Sequence, residues 1–289
     1  MWKTEFKRYF FSKNTLMILT ALISIGLISF YASYSDRQGF IETLSMNYED
    51  IDNTRMTGLI ADYNGIKFVL DFLLTSDFIQ IYLILLFLFF GIFLTPVLQG
   101  MIESGQENFI LSRMTYKEHV NVLLKSQSTY IAVIVSLSII FLAAIGYIWG
   151  GVGSGVTSIG NYTINFGWFM VICIFQIILL ILLSVLVNAI CLLLNMVIKN
   201  KLVLQSLSFG LFIVVPMVIS STIGNLISSI GDIVSAFVPF NLVISPYWFL
   251  QYDFDFTYLI TVFIPIIIYY LLFQYLYSKN IAMYSKDCL

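Results

Sequence analysis

Residues 167–198 read GWFMVICIFQIILLILLSVLVNAICLLLNMVI, an apolar run without a single Asp, Glu, Lys or Arg. A helix that crosses the hydrocarbon core of a bilayer needs about 20 mainly apolar residues. This run is longer than that, so we expect its helix to tilt or to protrude. Open strands cannot cross lipid, because their backbone groups would lack hydrogen-bond partners. The stretch therefore places the chain among the helical membrane proteins.

The composition of the whole chain agrees with this class. Of its 289 residues, 60% are hydrophobic and only 10% are charged, and its mean hydropathy is +0.94. Soluble globular domains have roughly 25% charged residues. The net charge of −2 and the lack of a basic block give no reason to expect a nucleic-acid partner.

Six apolar runs are long enough to span a membrane. They lie at about 15–34, 78–98, 128–149, 167–198, 202–222 and 257–277. The first run follows basic residues but lacks a clear small-x-small cleavage site, so we interpret it as a retained span and not as a signal peptide. An even number of spans puts both termini on one side. The predicted fold is an all-α integral membrane protein with one transmembrane domain over 1–289.

The distribution of Lys and Arg predicts the orientation of these spans. Eleven of the 14 basic residues fall on the side of the termini, and three fall on the other side: Arg37, Arg55 and Lys67. Positive residues are enriched in cytoplasmic loops. We therefore predict cytoplasmic termini, in a bacterial plasma membrane.

Two segments on the predicted outer side separate the spans. Residues 35–77 hold eight acidic residues, and we interpret them as a long solvated loop without chemistry of its own. Residues 150–166 are rich in glycine and lack the Lys-Ser/Thr of a phosphate-binding loop, so we expect a flexible turn there.

Two further segments are apolar but do not read as ordinary spans. Residues 1–13 have aromatic and basic residues at helical spacing, which predicts an amphipathic helix on the cytoplasmic surface of the membrane or a simple topology anchor. Residues 223–249 are interrupted by Gly231, Pro239 and Pro246. A pair of re-entrant helices before the last span fits this pattern, since irregular backbone at membrane depth must be packed against protein.

Four polar residues share one face of the fourth span. They follow one another at intervals of eight, four and seven residues: Gln176, Ser184, Asn188 and Asn195. Polar groups inside a membrane turn towards protein or water. This face is therefore either a helix-packing surface held by hydrogen bonds or the wall of a translocation path.

A long, strongly polar stretch separates the second span from the third. It covers residues 100–119 and reads GMIESGQENFILSRMTYKEH. Thr115 and Glu118 form a capping box, which predicts that a helix begins at about Tyr116 and runs into the third span. Before it, the apolar residues Phe109, Ile110 and Leu111 follow the carboxylates Glu103 and Glu107. A passive connection needs only about two to eight residues. We therefore interpret residues 100–112 as a docking surface.

The residues from Glu103 to Arg113, followed by a basic helix reaching Lys125, resemble the cytoplasmic loop of the type-2 ABC exporter permeases. The positions that match are Glu103, Gly105, Leu111, Ser112 and Lys125. Met114 and Thr115 stand where a proline is common, and the glycine expected just before Lys125 is missing. The order of surface helix, six spans, loop helix and re-entrant pair also resembles that family.

This resemblance implies that residues 100–112 are a coupling helix, received in a groove of a separate ATPase subunit. The residues that would contact the ATPase are Glu103, Gly105, Glu107, Phe109, Leu111 and Ser112. The chain has no GxxxxGK[ST] motif, so ATP and Mg would be bound by that partner and no cofactor by this chain. The resemblance further implies a dimer, with a second copy or a related permease.

The sequence leaves three classes of function to weigh. The first is an exporter permease for hydrophobic or amphipathic cargo: a peptide such as an antimicrobial peptide or toxin, then a lipid or drug. The second is a passive channel or immunity protein, which would need no coupling helix. The third, an intramembrane enzyme, is disfavoured because His119 is the single histidine, and we predict no catalytic or metal-binding residues.

Overall fold

The computed structural model describes residues 2–46, 53–106, 112–151, 155–159, 162–195, 197–198, 200–224, 237–251 and 256–287. The first half of the chain forms α1 Trp2–Phe10, α2 Lys13–Ser45, α3 Asn53–Asp62, α4 Gly65–Leu70, α5 Asp77–Phe93, α6 Val97–Glu103 and α7 Tyr116–Gly150. The second half forms β1 Val156–Ile159, β2 Tyr162–Asn165, α8 Phe166–Leu194, α9 Lys201–Phe209, α10 Val215–Gly224, α11 Pro239–Gln251 and α12 Phe256–Asp287. Two π-helical turns, Asp71–Thr75 and Gly210–Val214, extend α4 and join α9 to α10.

Six segments in the described part of the chain are long and apolar enough to cross a membrane. They are Lys13–Ser45, Asp77–Met101, Tyr116–Gly150, Phe166–Leu194, Lys201–Thr222 and Val262–Ala282. The protein is therefore a multi-pass helical membrane protein, as its sequence predicts. The helix of the first span, α2, is longer than its apolar run and continues through polar residues as far as Ser45.

The core of the bundle is built on aromatic residues from three neighbouring segments. The ring of Phe72 lies 6.0 Å from that of Phe30 on α2 and 5.9 Å from that of Tyr82 on α5, both in edge-to-face geometry. The Tyr82 hydroxyl shares a hydrogen bond of 2.6 Å with the hydroxyl of Ser138 on α7. This contact satisfies a polar group that is completely buried.

The segment from Asn64 to Thr75 differs from the solvated loop expected over 35–77. Asn64 caps α4 by accepting hydrogen bonds from the N–H groups of Ile66 and Lys67, and every apolar side chain from Ile66 to Leu74 is buried. Lys67 pairs with Asp71 at 3.2 Å. The prediction of a solvated loop was wrong for this segment, which is helical and packs inside the bundle. Its apolar run is too short to span a membrane and carries charges, and these two features resemble those of a loop.

The strands β1 and β2, residues 156–159 and 162–165, pair as an antiparallel hairpin, where the sequence predicted only a flexible turn. The Asn64 side chain donates to the carbonyl of Val156 at 2.6 Å, and the Gly65 N–H donates to the carbonyl of Gly151 at 2.8 Å. The hairpin and the end of α7 therefore hold the start of α4. At its other end the hairpin leads into α8, whose first turn is capped by Asn165.

The two segments predicted to lie at the membrane surface are also helical where the structure describes them. The helix α1 packs against the first half of α7, where Lys125 places its ammonium 5.0 Å from the centre of the Trp2 ring. Of the predicted re-entrant region, α11 covers residues 239–251 and packs against α12. Residues 225–236 lie outside the described residues. Membrane re-entrance therefore stays a prediction.

Candidate functional site

The connection between the second and third spans begins with a break after α5. Pro96 follows the end of α5 and α6 begins at Val97. Proline has no N–H group and cannot continue the hydrogen-bond ladder of a helix. α6 ends at Glu103, where Ser104 and Gly105 turn the chain. Gly105 has a φ of +70°, a left-handed conformation that favours glycine.

One side of α6 is anchored to the bundle. Leu98 and Met101 are buried and form a small apolar cluster with Leu123 of α7 and Leu192 of α8. The exposed end of α6 consists of Glu103, Ser104, Gly105 and Gln106, which we call the α6 tip. Because the tip follows a helix that packs on two other spans, a displacement of the tip has a direct route into the bundle.

The structure describes part of the predicted docking surface. Glu103 is exposed and accepts a hydrogen bond from the Gln99 side chain at 2.7 Å, and Ser112 is exposed in the turn that precedes α7. Glu107, Phe109 and Leu111 lie outside the described residues. Among the described residues of this region, α6 covers Val97–Glu103, and Gln106 is again helical after the turn at Ser104 and Gly105. Because residues 107–111 lie outside the described residues, the helix predicted over 100–112 stays a prediction. The start at Val97 follows from the break at Pro96, and the left-handed Gly105 ends α6.

The predicted start of the next helix is confirmed. α7 begins at Tyr116 with a complete capping box. The Thr115 hydroxyl oxygen accepts from the N–H of Glu118 at 3.3 Å, and the Glu118 carboxylate accepts from the N–H of Thr115 at 2.9 Å. These reciprocal bonds fix where the connection ends.

The break at Pro96 exposes backbone carbonyls that side-chain amides from other helices satisfy. Gln127 of α7 donates to the carbonyl of Leu94 at 3.0 Å, and Asn195 donates to the carbonyl of Thr95 at 2.7 Å. Gln205 of α9 lies 3.5 Å from the carbonyl of Ile92, whose usual helical donor would be the N–H that Pro96 lacks. A buried carbonyl without a partner is costly, so these contacts hold the break in place.

Asn188 extends this arrangement. Its amide donates to the side-chain oxygen of Gln127 at 2.9 Å, so Gln127 is held from one side and holds Leu94 on the other. We call this set the polar belt: Gln127, Asn188, Asn195, Gln205 and the carbonyls of residues 92, 94 and 95. It joins α5, α7, α8 and α9 at the end of the bundle that carries α6.

The other two residues of the predicted polar face lie further along α8. Gln176 is buried and donates to the carbonyl of Val243 in α11 at 2.9 Å. Ser184 is also buried, and its hydroxyl has no hydrogen-bond partner among the described residues. Gln176, Asn188 and Asn195 thus each bond to another helix or to the chain beyond α5. This geometry favours the packing interpretation of the face over a translocation path within one chain.

Three members of this arrangement escaped the sequence analysis. Gln127 lies just before the apolar run predicted for the third span, Gln205 lies near the start of the fifth, and Pro96 is near the end of the second. Each is an isolated polar residue or proline in or beside an apolar run. One physical rule connects them: a span that is broken by a proline needs hydrogen-bond donors from other helices for its free carbonyls.

The described residues contain no group of three or more His, Cys, Asp or Glu side chains that could hold a metal ion. What the arrangement provides is mechanical: an exposed tip, a short helix anchored on two spans, and a broken span held by amides.

The fold and this site define a class, a multi-pass helical membrane protein with a structured connection between its second and third spans. Comparisons with protein-family models, curated proteins and solved structures each found no match for this chain. The geometry and the sequence therefore carry the functional argument.

Proposed function

We propose that this protein is the membrane permease subunit of an ABC exporter, with a separate ATPase docked on the α6 tip. The observation that carries the proposal is that α6 has one exposed end and one side that is anchored to the bundle. Glu103 and Gly105 are exposed, while Leu98 and Met101 of the same short helix are buried against α7 and α8. A simple loop between two spans needs no such helix.

The proposed mechanism divides the work between two polypeptides. The ATPase subunit binds ATP and Mg, since this chain has no P-loop motif. Closure of the ATPase displaces the α6 tip, and the cluster formed by Leu98, Met101, Leu123 and Leu192 passes the displacement to two spans. Packed interfaces of this kind switch between discrete arrangements and do not deform continuously.

A second permease copy completes the proposed transporter. The fifth and sixth candidate spans are the least buried within one chain, with 22% and 17% of their most apolar residues covered. These surfaces contact lipid or a second copy. Both termini and the α6 tip lie in the cytoplasm, following the distribution of Lys and Arg. Few charged residues occur in the spans, which favours hydrophobic or amphipathic cargo, with peptides first.

Substitutions at the α6 tip test the proposal. Glu103→Lys reverses an exposed charge, and Gly105→Trp adds bulk at a position where a Cβ atom would meet no neighbour within 4 Å. Because neither residue is packed against the bundle, both variants are expected to insert, and the backbone strain of Trp at the left-handed Gly105 is confined to the exposed tip. Each is expected to reduce copurification with the ATPase, or ATP-dependent export, by about tenfold, the effect of roughly 1.4 kcal/mol.

Two substitutions at the opposite end of the bundle serve as matched controls. Asp36→Lys reverses an exposed charge near the end of α2. Gly155→Trp adds bulk just before β1, at a glycine that has the same left-handed conformation as Gly105 and no atom within 4 Å of an added Cβ. Both should retain ATPase binding and export. The proposal fails if the tip variants and the controls behave alike, or if no ATPase copurifies with the unmodified protein. A passive channel would produce that second result.

A further inference from the structure

A cavity of about 200 Å³ lies where α1 meets α2. One part of its wall is polar and comes from Arg8, Tyr9, Ser12 and Asn14. The other part comes from α5 and the start of α6, with Phe93, Leu94 and Val97, and from Tyr130 of α7. The cavity therefore has a cationic and polar rim above an apolar floor, and none of the functions proposed so far uses it.

The walls of this cavity are held in position by the surrounding structure. The Thr15 hydroxyl donates to the carbonyl of Tyr9 at 2.8 Å and lies 2.9 Å from the Tyr130 hydroxyl. The rings of Tyr9 and Tyr130 are 5.9 Å apart. These contacts tie the end of α1 to α7, so the space between them is part of the fold and not a gap between loosely placed helices.

The rim offers hydrogen-bond donors to an anion. The side chain of Arg8 is 67% exposed, and its closest opposing charge is Glu5 at 3.7 Å, too long for a hydrogen bond. The guanidinium is therefore able to turn towards a ligand and to bind two of its oxygens. Asn14 adds an exposed amide. The side chain of Ser12 does not cap the start of α2, so the positive end of that helix adds to the attraction.

The surroundings indicate that the anion belongs to a lipid. Phe11, between two cavity residues in the chain, is 79% exposed, and Leu16 is 71% exposed. Large apolar side chains so exposed beside a membrane span are expected to contact lipid. Lys3, Lys7 and Lys13 are exposed on the same segment, and basic residues near a membrane surface attract anionic lipids to it.

We propose that this cavity binds the headgroup of one anionic phospholipid, with its phosphate on Arg8 and Asn14, the start of its acyl chains on the apolar floor and the rest of the chains in the surrounding bilayer. The floor includes Leu94, whose carbonyl is held by the polar belt. The lipid would thus occupy the space next to the break in the second span. This site depends on membrane insertion of the chain and not on the identity of its ATPase partner.

The test uses the full-length protein in detergent and a short-chain phosphatidylglycerol below its micellar concentration. Its affinity is compared with those of short-chain phosphatidylcholine, which has no net charge, and glycerol 1-phosphate, which has no acyl chains. Arg8→Gln is expected to weaken phosphatidylglycerol binding at least about tenfold, because it removes a charge-assisted bidentate contact. Lys7→Gln, the same loss of charge at an exposed neighbour outside the cavity wall, should change the affinity less than about threefold.

Asn14→Leu provides a second variant that leaves α1 unchanged, and it should also weaken binding. Equal weakening by Arg8→Gln and Lys7→Gln would overturn the proposal in favour of diffuse surface charge. Equal binding of phosphatidylcholine, whose phosphate is balanced by a choline cation, would show that the site does not select an anionic lipid over a zwitterionic one. Equal binding of glycerol 1-phosphate would show an anion site that ignores the acyl chains. Each of these three results rejects the lipid site, whether or not an ATPase partner is found.

Discussion

The spans of this protein differ in how they treat their polar residues. In α8 and α5, about half of the most apolar window is buried, and the buried amides of α8 bond to other helices. In the fifth span, the exposed hydroxyls of Ser206, Ser221 and Thr222 bond to carbonyls of their own helix, whereas Gln205 and Ser208 on its inner side bond to carbonyls of α5. Buried polar side chains thus form hydrogen bonds between helices, whereas exposed ones at the periphery form hydrogen bonds to carbonyls of their own helix.

The largest expected effect concerns the close contact between the start of α4 and the end of α7. A Cβ atom at Gly65 would overlap the backbone of Tyr147 in α7, which cannot move aside as a side chain can. Gly65→Leu is therefore expected to destabilise the protein by more than about 3 kcal/mol, in the range of severe core overpacking. The measurement is the temperature at which the protein unfolds in detergent.

Gly39→Leu is the matched control for this substitution. Gly39 lies in the exposed final turns of α2, with no atom within 4 Å of an added Cβ. Because leucine favours helices more than glycine does, this variant should be as stable as the unmodified protein or slightly more so. A similar loss at both positions would mean that α4 and α7 are not in close contact.

A smaller effect is expected in the polar belt. Asn195→Leu removes the donor to the carbonyl of Thr95 and leaves that buried oxygen without it. The expected loss of stability is about 1–2 kcal/mol, since an unsatisfied buried polar group costs about 1–3 kcal/mol and hydrogen bonds between membrane helices average about 0.6 kcal/mol. The same unfolding measurement applies, in detergent or in lipid.

Ser221→Ala is the peripheral counterpart of this change. Its hydroxyl donates to the carbonyl of Val218 in its own helix, and its removal should alter stability by less than about 0.5 kcal/mol. If Asn195→Leu has an effect this small, water or another group satisfies Thr95, and the polar belt does not hold the break.

The smallest effect is expected on the outer face of α12. Ile267 is 54% exposed, whereas Leu180 of α8 is completely buried. Ile267→Ala should change the stability of the single chain by less than about 0.5 kcal/mol, and Leu180→Ala should cost about 2–5 kcal/mol. Equal losses of stability from the two substitutions would show that the outer face of α12 is packed as tightly as the centre of the bundle.

The sequence predicts the helical membrane class well, because six long apolar runs have few alternatives in lipid. It also predicts the start of α7, since the capping box of Thr115 and Glu118 is a local signal. The burial of α4 was not predictable from such signals. Its apolar residues are too few to span, and the charges of Lys67 and Asp71 resemble those of a solvated loop until their mutual pairing is known.

The candidate site was predictable in part for a similar reason. The spacing of Gln176, Ser184, Asn188 and Asn195 shows that they share a face, but not what the face contacts. Their partners are the carbonyls of Thr95 and Val243 and the side chain of Gln127, which are distant in the chain. No local pattern identifies a backbone carbonyl as a partner, and only the packed structure brings these groups together.

The polar belt has a consequence for the synthesis of the protein. The carbonyls of Ile92 and Thr95 belong to the second span, whereas their donors, Gln205 and Asn195, belong to the start of the fifth span and the end of the fourth. A ribosome delivers these donors roughly a hundred residues after the carbonyls have entered the membrane, at about 5–20 residues per second. For several seconds the nascent second span has an open break that only water or the translocation machinery can satisfy. The second span therefore reaches its final form only after the fifth has begun to emerge.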